Sequence, residues 1–326
     1  MAVNLVIDGN YILYKNIHSL HSQKILFGEL HRALNINLKR LFAKYPWSKI
    51  HLVSDSRIPS WRKEFLKDYK GKRIKDDEID WEFCFNTYDE VKDELRANPR
   101  IIIYEKDGVE GDDWIREIVE LNNNKNQSNV VVASDADLQQ LLDYRLNPKQ
   151  WINIQWRENY TKEKIFFPLG HKLFIENIKE SKADVFSLND NDELLKMINI
   201  WLDRSTCEEI DGETLLFVKI LDGDVGDNIS SVYVKESASG RRMGIGAKTA
   251  LKIYSAYKEL YPDQIVFEDN QWKLNVIPII EQYKKLELSK KESKLLLSNL
   301  ENNTKIIHLN KIHLPKPILE KINTMF

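Results

Sequence analysis

An α/β fold with a mostly parallel central sheet flanked by helices is what this chain predicts, on three observations. Short apolar runs rich in β-branched residues alternate with stretches of helical periodicity, the pattern of βαβ units. Three of those runs, VNLVID, KIHLVSD and VVVASD, end in an aspartate: Asp8, Asp55 and Asp135. From residue 214 onward the strand pattern gives out and helical spacing takes over.

Taken in order, residues 3–8 read as a strand closing in an Asp8-Gly9-Asn10 turn. From Lys24 to Tyr45, apolar residues recur at Ile25, Leu26, Leu30, Leu34, Leu38, Leu41 and Phe42, which predicts one long helix. KIHLVSD (49–55) is a second strand, a helical stretch follows near 86–97, and RIIIYE (100–105) is a third strand. The amphipathic run WIREIVEL forms a helix behind Glu110-Gly111-Asp112-Asp113, and VVVASD (130–135) is a fourth strand. WINIQW (151–156) alternates and reads as an edge strand or hairpin element. Residues 157–213 say less, beyond helix around LLKMINIWL. TLLFVKIL, GAKTALKIYSAYKEL and KKESKLLLSNL are helices, interrupted by an exposed loop over 235–244. This divides the chain into an α/β core (1–156), a connection (157–213) and a helical region (214–326).

Composition narrows the class. With 42% hydrophobic and 30% charged residues in 326, the chain has ample core for a soluble globular protein. It contains no apolar run long enough to span a membrane, and MAVNLVIDGN lacks the basic start of a signal peptide. Cys84 and Cys207 have no partners at zinc spacing, as expected of a reduced, cytoplasmic protein. The net charge of −2 hides segregation: acids gather at strand ends, while 57–75 and 235–248 are locally basic. Such separation suits a protein that holds metal in one place and a polyanion in another.

The acids are Asp8, Asp55, Glu110, Asp112, Asp113, Asp135, Asp137, Asp224 and Asp227, the last two from the glycine-bearing turn LDGDVGDNI. Singly, a strand-end aspartate is a cap or turn former. Caps do not need pairs, however, and here pairs recur at 112/113, 135/137 and 224/227. Carboxylates crowded on one sheet edge raise one another's pKa values unless a cation neutralises them. Two Mg²⁺ or Mn²⁺ ions do so, and the chemistry that suits them is phosphodiester hydrolysis. The run from Ser54 to Arg73 mixes cations with aromatics (Arg57, Trp61, Arg62, Lys63, Phe65, Tyr69, Lys70, Lys72, Arg73). Beside such a centre it neutralises backbone phosphates and stacks an unpaired base.

The ordered series VIDGN, VSDSR…WRKEF…YKGKR, VEGDD, ASDADLQQL, and LDGDVGDNI followed by GIGAKTA resembles the metal-dependent 5′-nucleases over about residues 3–255. These are the flap endonucleases, the 5′-nuclease domains of bacterial DNA polymerase I and the ribonuclease H of T-even phages. DWEFCFNTYDEVKDEL looks most like the phage branch. The resemblance implies a PIN-like core, a helical arch over about 57–80 and a C-terminal helix–hairpin–helix region. It places Asp8, Asp55, Glu110, Asp112, Asp113 and Asp135 around a first metal. Asp137, Asp224 and Asp227, with Asp135 nearby, fall around a second.

Tyr69, Lys70 and Arg73 match the family's YKxxR motif, in which lysine and arginine contact the scissile phosphate and tyrosine stacks on the terminal base. Lys70, Arg73 and Asp135 are therefore the expected catalytic residues. GIGAKTA resembles the hairpin that binds duplex phosphates, often with K⁺; Gly244, Gly246, Lys248 and Thr249 carry that resemblance. The chain departs from the family by an insertion between Asp227 and Gly244 carrying Lys235, Arg241 and Arg242.

The implied activity is 5′→3′ hydrolysis at nicks, flaps or RNA–DNA hybrids, with primer removal in phage lagging-strand replication as the natural task. The implied protein is a monomer in the host cytoplasm, with a sliding clamp or single-strand-binding protein as partner. A catalytically weak, structure-specific DNA-binding protein is the alternative, and the full acid set argues against it. A phosphatase using an Asp-x-Asp pair leaves YKGKR and GIGAKTA unexplained, and a toxin-like RNA nuclease would be much shorter. The C-terminal KPILEKINTMF reads as a tail that docks on its own core or is gripped by a partner.

Overall fold

A computed structural model describes residues 2–73, 76–145, 151–158, 163–170, 206–236, 242–264, 266–267 and 270–326. The helix expected around LLKMINIWL lies outside them. The chain divides into two compact units that do not follow its order: Met1–Ser60, Lys75–Gly212 and Pro317–Phe326 form one, Trp61–Ile74 and Glu213–Lys316 the other.

The first unit is built on a sheet. Strands β1 (Val3–Asp8), β2 (Ile50–Val53), β3 (Ile101–Tyr104) and β4 (Ser128–Val132) pair in parallel in the order β3-β2-β1-β4. Strand β5 (Tyr144–Arg145) pairs antiparallel with β6 (Trp151–Glu158). Of the two readings of WINIQW, the hairpin element holds and the edge strand does not. β6 runs parallel to β4 on one side and antiparallel to β7 (Glu163–Pro168) on the other, and β8 (Thr206–Ile210) closes the sheet. Its alternation does not mark a solvent face, because the polar Asn153 and Gln155 are themselves 1% exposed and hydrogen-bonded inside.

Helix α1 (Gly9–Ser22) starts where a turn was expected, because the Asp8 carboxylate caps it by accepting from the Tyr11 N–H at 3.0 Å. The single helix expected from Lys24 to Tyr45 is shorter. Lys24 takes a left-handed φ of 55°, a 3₁₀ turn covers Phe27–Glu29, and α2 runs Leu30–Ala43 with Leu30, Leu34, Leu38 and Leu41 buried. Helix α3 (Trp81–Arg96) begins earlier than its periodicity indicated, capped by Asp80. Helix α4 (Gly111–Asn124) follows Glu110. Together with β1, β2 and β4, helices α1, α2 and α3 enclose one apolar core containing Leu5, Ile7, Leu13, Leu34, Val91 and Val132.

The second unit is helical. Its helices are α5 (Gly212–Asp222), α6 (Ala247–Leu260), α7 (Gln271–Lys284) and α8 (Lys290–Ile307), and a two-stranded ribbon of β9 (Val234–Glu236) and β10 (Arg242–Gly244) sits between α5 and α6. The sequence did not announce α7, whose Pro278 lies inside the helix and reads as a breaker. Phe217, Tyr257, Trp272, Ile280 and Leu300 meet in its core. The last helix, α9 (Lys316–Asn323), buries Ile318 and Ile322. Beyond it, Phe326 stacks on Tyr104 at 5.4 Å and Lys321 donates to the Asp107 carbonyl at 2.7 Å, so the C-terminal tail docks on the first unit's own core.

Candidate metal centre and nucleic-acid interface

Three neighbouring parallel strands run out at one edge of the sheet, and each hands over an aspartate there. Asp8 ends β1 opposite Val53, Asp55 lies two residues beyond Val53, and Asp135 lies three beyond Val132, which pairs with Ile7. Each is held by N–H donors. Asp55 accepts from the Gly111 N–H at 2.7 Å and from the Asn10 side chain at 3.1 Å, while its own N–H donates to Asn10 Oδ1 at 3.1 Å. Asp135 accepts from the Asp137 N–H at 2.8 Å. The turn that carries Asp135 is fixed from β6, where Gln155 Nε2 donates to the Asp135 carbonyl at 2.7 Å and to the Ala133 carbonyl at 3.3 Å.

The electrostatic result is clear at Asp8. Burial first, then the negative charges of Asp55 and Asp135, push its carboxyl up to about 7, against the pull of the Tyr11 and Asn10 amides. Packing explains the glycine beside it: a Cβ on Gly9 would stand 1.9 Å from the Tyr88 hydroxyl and 2.6 Å from the Val53 carbonyl oxygen. Tyr88 in turn shares a hydrogen bond with Ser54 at 3.2 Å. Sequence reasoning missed Asn10, Ser54, Tyr88 and Gln155. For Asn10 the signal was its place next to Asp8-Gly9; for Gln155 it was a polar residue inside an apolar strand.

Glu110 and Asp113 serve the start of α4. The Glu110 N–H donates to Asp113 Oδ2 at 3.3 Å, and the two side chains are 6% and 3% exposed. Asp112 is half-buried in the same turn. The donor set of the edge is entirely carboxylate oxygen, the chemistry of hard divalent cations. Among the described residues, no three of these carboxylates bring donor atoms within 4.8 Å of one another.

In the second unit, Asp224 accepts from the Gly226 N–H at 2.7 Å and the Asp227 N–H at 3.3 Å and pairs with Lys219 at 2.8 Å. Burial works upward on Asp224, but the Lys219 hydrogen bond and charge, with those two amides, outweigh it and hold the carboxyl below its ordinary value. Asp227 pairs with Arg73 at 2.5 Å, the Lys70 N–H donates to the Asp227 carbonyl at 3.0 Å, and Asn228 donates to the Asp68 carbonyl at 3.2 Å. Two stretches singled out separately in the sequence, YKGKR and GDVGDN, are thus stitched together in one unit.

The basic run divides on inspection. Lys63, Lys72 and Arg73 are exposed, as is Arg57, which pairs with Asp89 in the first unit. Arg62 is 3% exposed, donates to the Ile306 carbonyl at 3.0 Å and lies over the Trp61 ring, so it is a packing residue and not a phosphate ligand. Tyr69 is 4% exposed within the second unit's core and does not present a face for a base; the Lys70 ammonium lies 5.0 Å from its ring centroid. The helical arch implied over 57–80 is not formed among the described residues of that span. They hold one 3₁₀ turn, Trp61–Glu64, and α-helix resumes only at Trp81.

Gly246 caps α6 with open space around it, and Lys248 is exposed in the first turn with Thr249 half-buried beside it. Gly244 is required by contact, since a Cβ there would meet Ser231 Cβ at 2.9 Å. The Ser231 hydroxyl accepts from the Ile245 N–H at 2.9 Å and reaches the Leu221 carbonyl at 2.9 Å, tying the end of α5 to the approach to α6. The inserted segment forms the β9–β10 ribbon, with Lys235 exposed and Arg242 paired in register with Glu236. Arg241 lies outside the described residues.

Residues 3–168 match the family described as 5′-3′ exonuclease, N-terminal resolvase-like domain. The chain belongs to that family. It is 33% identical over 109 residues to a ribonuclease H of Enterobacteria phage T4, covering 32% of this chain and 35% of the relative. It is 28% identical over 147 residues to a 5′-3′ exonuclease of Mycoplasma pneumoniae, covering 43% and 48%. The chain therefore spans less than half the length of the curated relatives it matches. Among solved structures, it resembles T5 5′-exonuclease with bound zinc at a TM-score of 0.59 and 17% identity, covering 99% of this chain and 97% of that one. A bacteriophage T5 flap endonuclease complexed with DNA and metal ions gives 0.56 and 18%, with the same coverage. At these identities the likeness concerns the fold. Among the described residues, no helix is long and apolar enough to cross a membrane.

Proposed function

We propose that this chain is a divalent-metal-dependent 5′→3′ nuclease that hydrolyses phosphodiester bonds at the 5′ end of RNA–DNA hybrids and of nicked or flapped duplex DNA. The observation that carries the reading is the delivery of Asp8, Asp55 and Asp135 to one sheet edge, where burial and then the charges of Asp55 and Asp135 push Asp8 up to about 7. Asp8, Asp55, Asp135 and Asp137, with Glu110, Asp112 and Asp113, would hold two Mg²⁺ or Mn²⁺ ions, in part through water. When bound, such ions supply a Lewis acid for a phosphoryl oxygen and a water of lowered pKa. Asn10 and the Gly111 amide orient Asp55, and Gln155 fixes the turn bearing Asp135.

Lys70 and Arg73 are proposed as phosphate-binding groups. Arg73 exchanges one anion, the Asp227 carboxylate, for another as it engages a phosphate. Asp224 and Asp227 join the acids on which turnover depends on the strength of the family resemblance. Gly244, Gly246, Lys248 and Thr249 bind duplex phosphate at the N-terminus of α6, where Gly246 and Lys248 are exposed, with K⁺ as the accompanying cation.

Removal of RNA primers by a monomer in the cytoplasm of a phage host is the task this reading suggests, and the name of the T4 relative supports the RNA–DNA hybrid as substrate. A sliding clamp or single-strand-binding protein would meet a C-terminal tail whose Ile318 and Ile322 are already engaged in packing. The test is incubation with a 5′-labelled flap and an RNA–DNA hybrid, with and without Mg²⁺. Metal-dependent release of short 5′ products is expected; no cleavage of either substrate under Mg²⁺ or Mn²⁺ would sink the reading.

A further inference from the structure

Away from the strand edge, His21, Asp76 and Glu78 bring three ligand atoms within 4.8 Å of one another. His21 Nε2 stands 3.6 Å from Asp76 Oδ2 and 3.7 Å from Glu78 Oε2. Both separations are too long for hydrogen bonds, and one ring nitrogen carries at most one proton to share between two carboxylates. They come close to a different need: donors about 2.0–2.2 Å from a common tetrahedral ion lie roughly 3.3–3.6 Å from each other.

Two of the three groups, His21 and Asp76, are also held in place, while the Glu78 carboxylate is exposed. The His21 ring, in the last turn of α1, stacks parallel on Phe27 with an interplanar angle of 1°. Asp76 Oδ1 accepts the Glu78 N–H at 3.0 Å, which leaves Oδ2 turned to the imidazole, and the Asp76 carbonyl accepts the Trp81 indole N–H at 2.9 Å.

We propose that His21, Asp76 and Glu78 form a binding site for a zinc-class divalent ion, with the remaining coordination position open to water. One imidazole nitrogen and two carboxylate oxygens select a borderline transition metal; Mg²⁺ takes oxygen donors and keeps several waters, so an imidazole is a poor match for it. The ion clips the residues entering α3 to the end of α1. The site is chemically distinct from the all-carboxylate strand edge, and the proposal stands whether or not the chain is a nuclease.

The test uses full-length protein carrying Asp8→Asn and Asp135→Asn, so that strand-edge binding is weakened, titrated calorimetrically with Zn²⁺ alone. One Zn²⁺ equivalent is expected, with at least a tenfold loss of affinity when His21→Ala or Asp76→Asn is added. Unchanged stoichiometry and affinity in the His21→Ala protein overturns the site. A second readout needs no substitution: Zn²⁺ should shift the His21 imidazole resonance of histidine-labelled wild-type protein, and a His21 signal unmoved at saturating Zn²⁺ overturns the site as well.

Discussion

On the sheet edge, Asp8 is pushed up to about 7 by burial and by Asp55 and Asp135. On the turn of the helical unit, Asp224 is held down by Lys219 and two amides, and Asp227 carries Arg73. Both sets contain paired aspartates after a short apolar run, and in the sequence they look alike. Their folded environments do opposite things. The edge concentrates negative charge that an added cation relieves, whereas the turn supplies its own cations. A set of the first kind is poised for a tightly needed ion, and one of the second kind for an exchangeable contact.

The sharpest way to break that contrast is substitution of one acid from each set. Asp8→Asn or Asp135→Asn should lower turnover by more than about 100-fold, beyond the range seen for losing an outer-shell partner. Asp224→Asn should cost less, and raised Mg²⁺ should recover part of the rate. Equal losses, with no recovery at higher Mg²⁺, would show that the two sets do not differ in kind. Asn10→Ala, which removes the amide that orients Asp55, should fall between them at about 10–100-fold in rate or metal affinity. Lys70→Ala should lower turnover more than duplex affinity, read as a kcat effect at unchanged Kd.

The glycines allow the same comparison for stability. A Cβ on Gly9 collides with the Tyr88 hydroxyl and the Val53 carbonyl, while one on Gly246 meets nothing within 4 Å. Gly9→Ala should therefore lose about 1–3 kcal/mol by overpacking in a denaturant melt. Gly246→Ala should lose only about 0.5–1 kcal/mol through a weaker cap, its larger effect falling on duplex affinity. A Gly9→Ala protein as stable as wild type would remove the argument that this glycine is fixed by close approach.

What was legible in the sequence follows from period and position. Strand ends were readable because β-branched runs stop at Asp8, Asp55 and Asp135, and the parallel pairing of β1, β2 and β4 brings those ends to one edge. The start of α1 was not readable as helix, because Asp8-Gly9-Asn10 has turn chemistry and the capping bond is invisible without coordinates. Helix α7 was hidden by Pro278. The fate of the basic run was least legible. Composition cannot tell an arginine that packs, such as Arg62 on Trp61, from an exposed one such as Arg73. Nor does it show that Tyr69 belongs to a core whose other members lie some 150 to 240 positions later in the chain.

The smallest effect, and the most specific, is the pH dependence of metal-free stability. Asp8 keeps its proton in the folded protein between its ordinary 3.8 and about 7, where the unfolded chain has lost it, so its contribution to stability falls as pH rises through that window. Asp224 runs the other way: its carboxyl is lowered by folding, so its contribution is full above the ordinary value and is lost as pH falls below it. His51 and His313, both lowered to about 4 by burial, also lose stability as pH falls from about 6.5, which masks the Asp8 slope in the wild-type curve alone. The difference between variant and wild type isolates it. In chelator, Asp8→Asn should gain stability relative to wild type as pH rises from about 4 to 7, whereas Asp224→Asn should show no such trend there and should lose its difference from wild type only on the acid side. Saturating Mg²⁺ should erase the Asp8 trend, because the ion takes over the role of the proton. Parallel curves for Asp8→Asn and wild type across that window would mean that the edge does not concentrate charge, and the contrast between the two acidic sets would collapse.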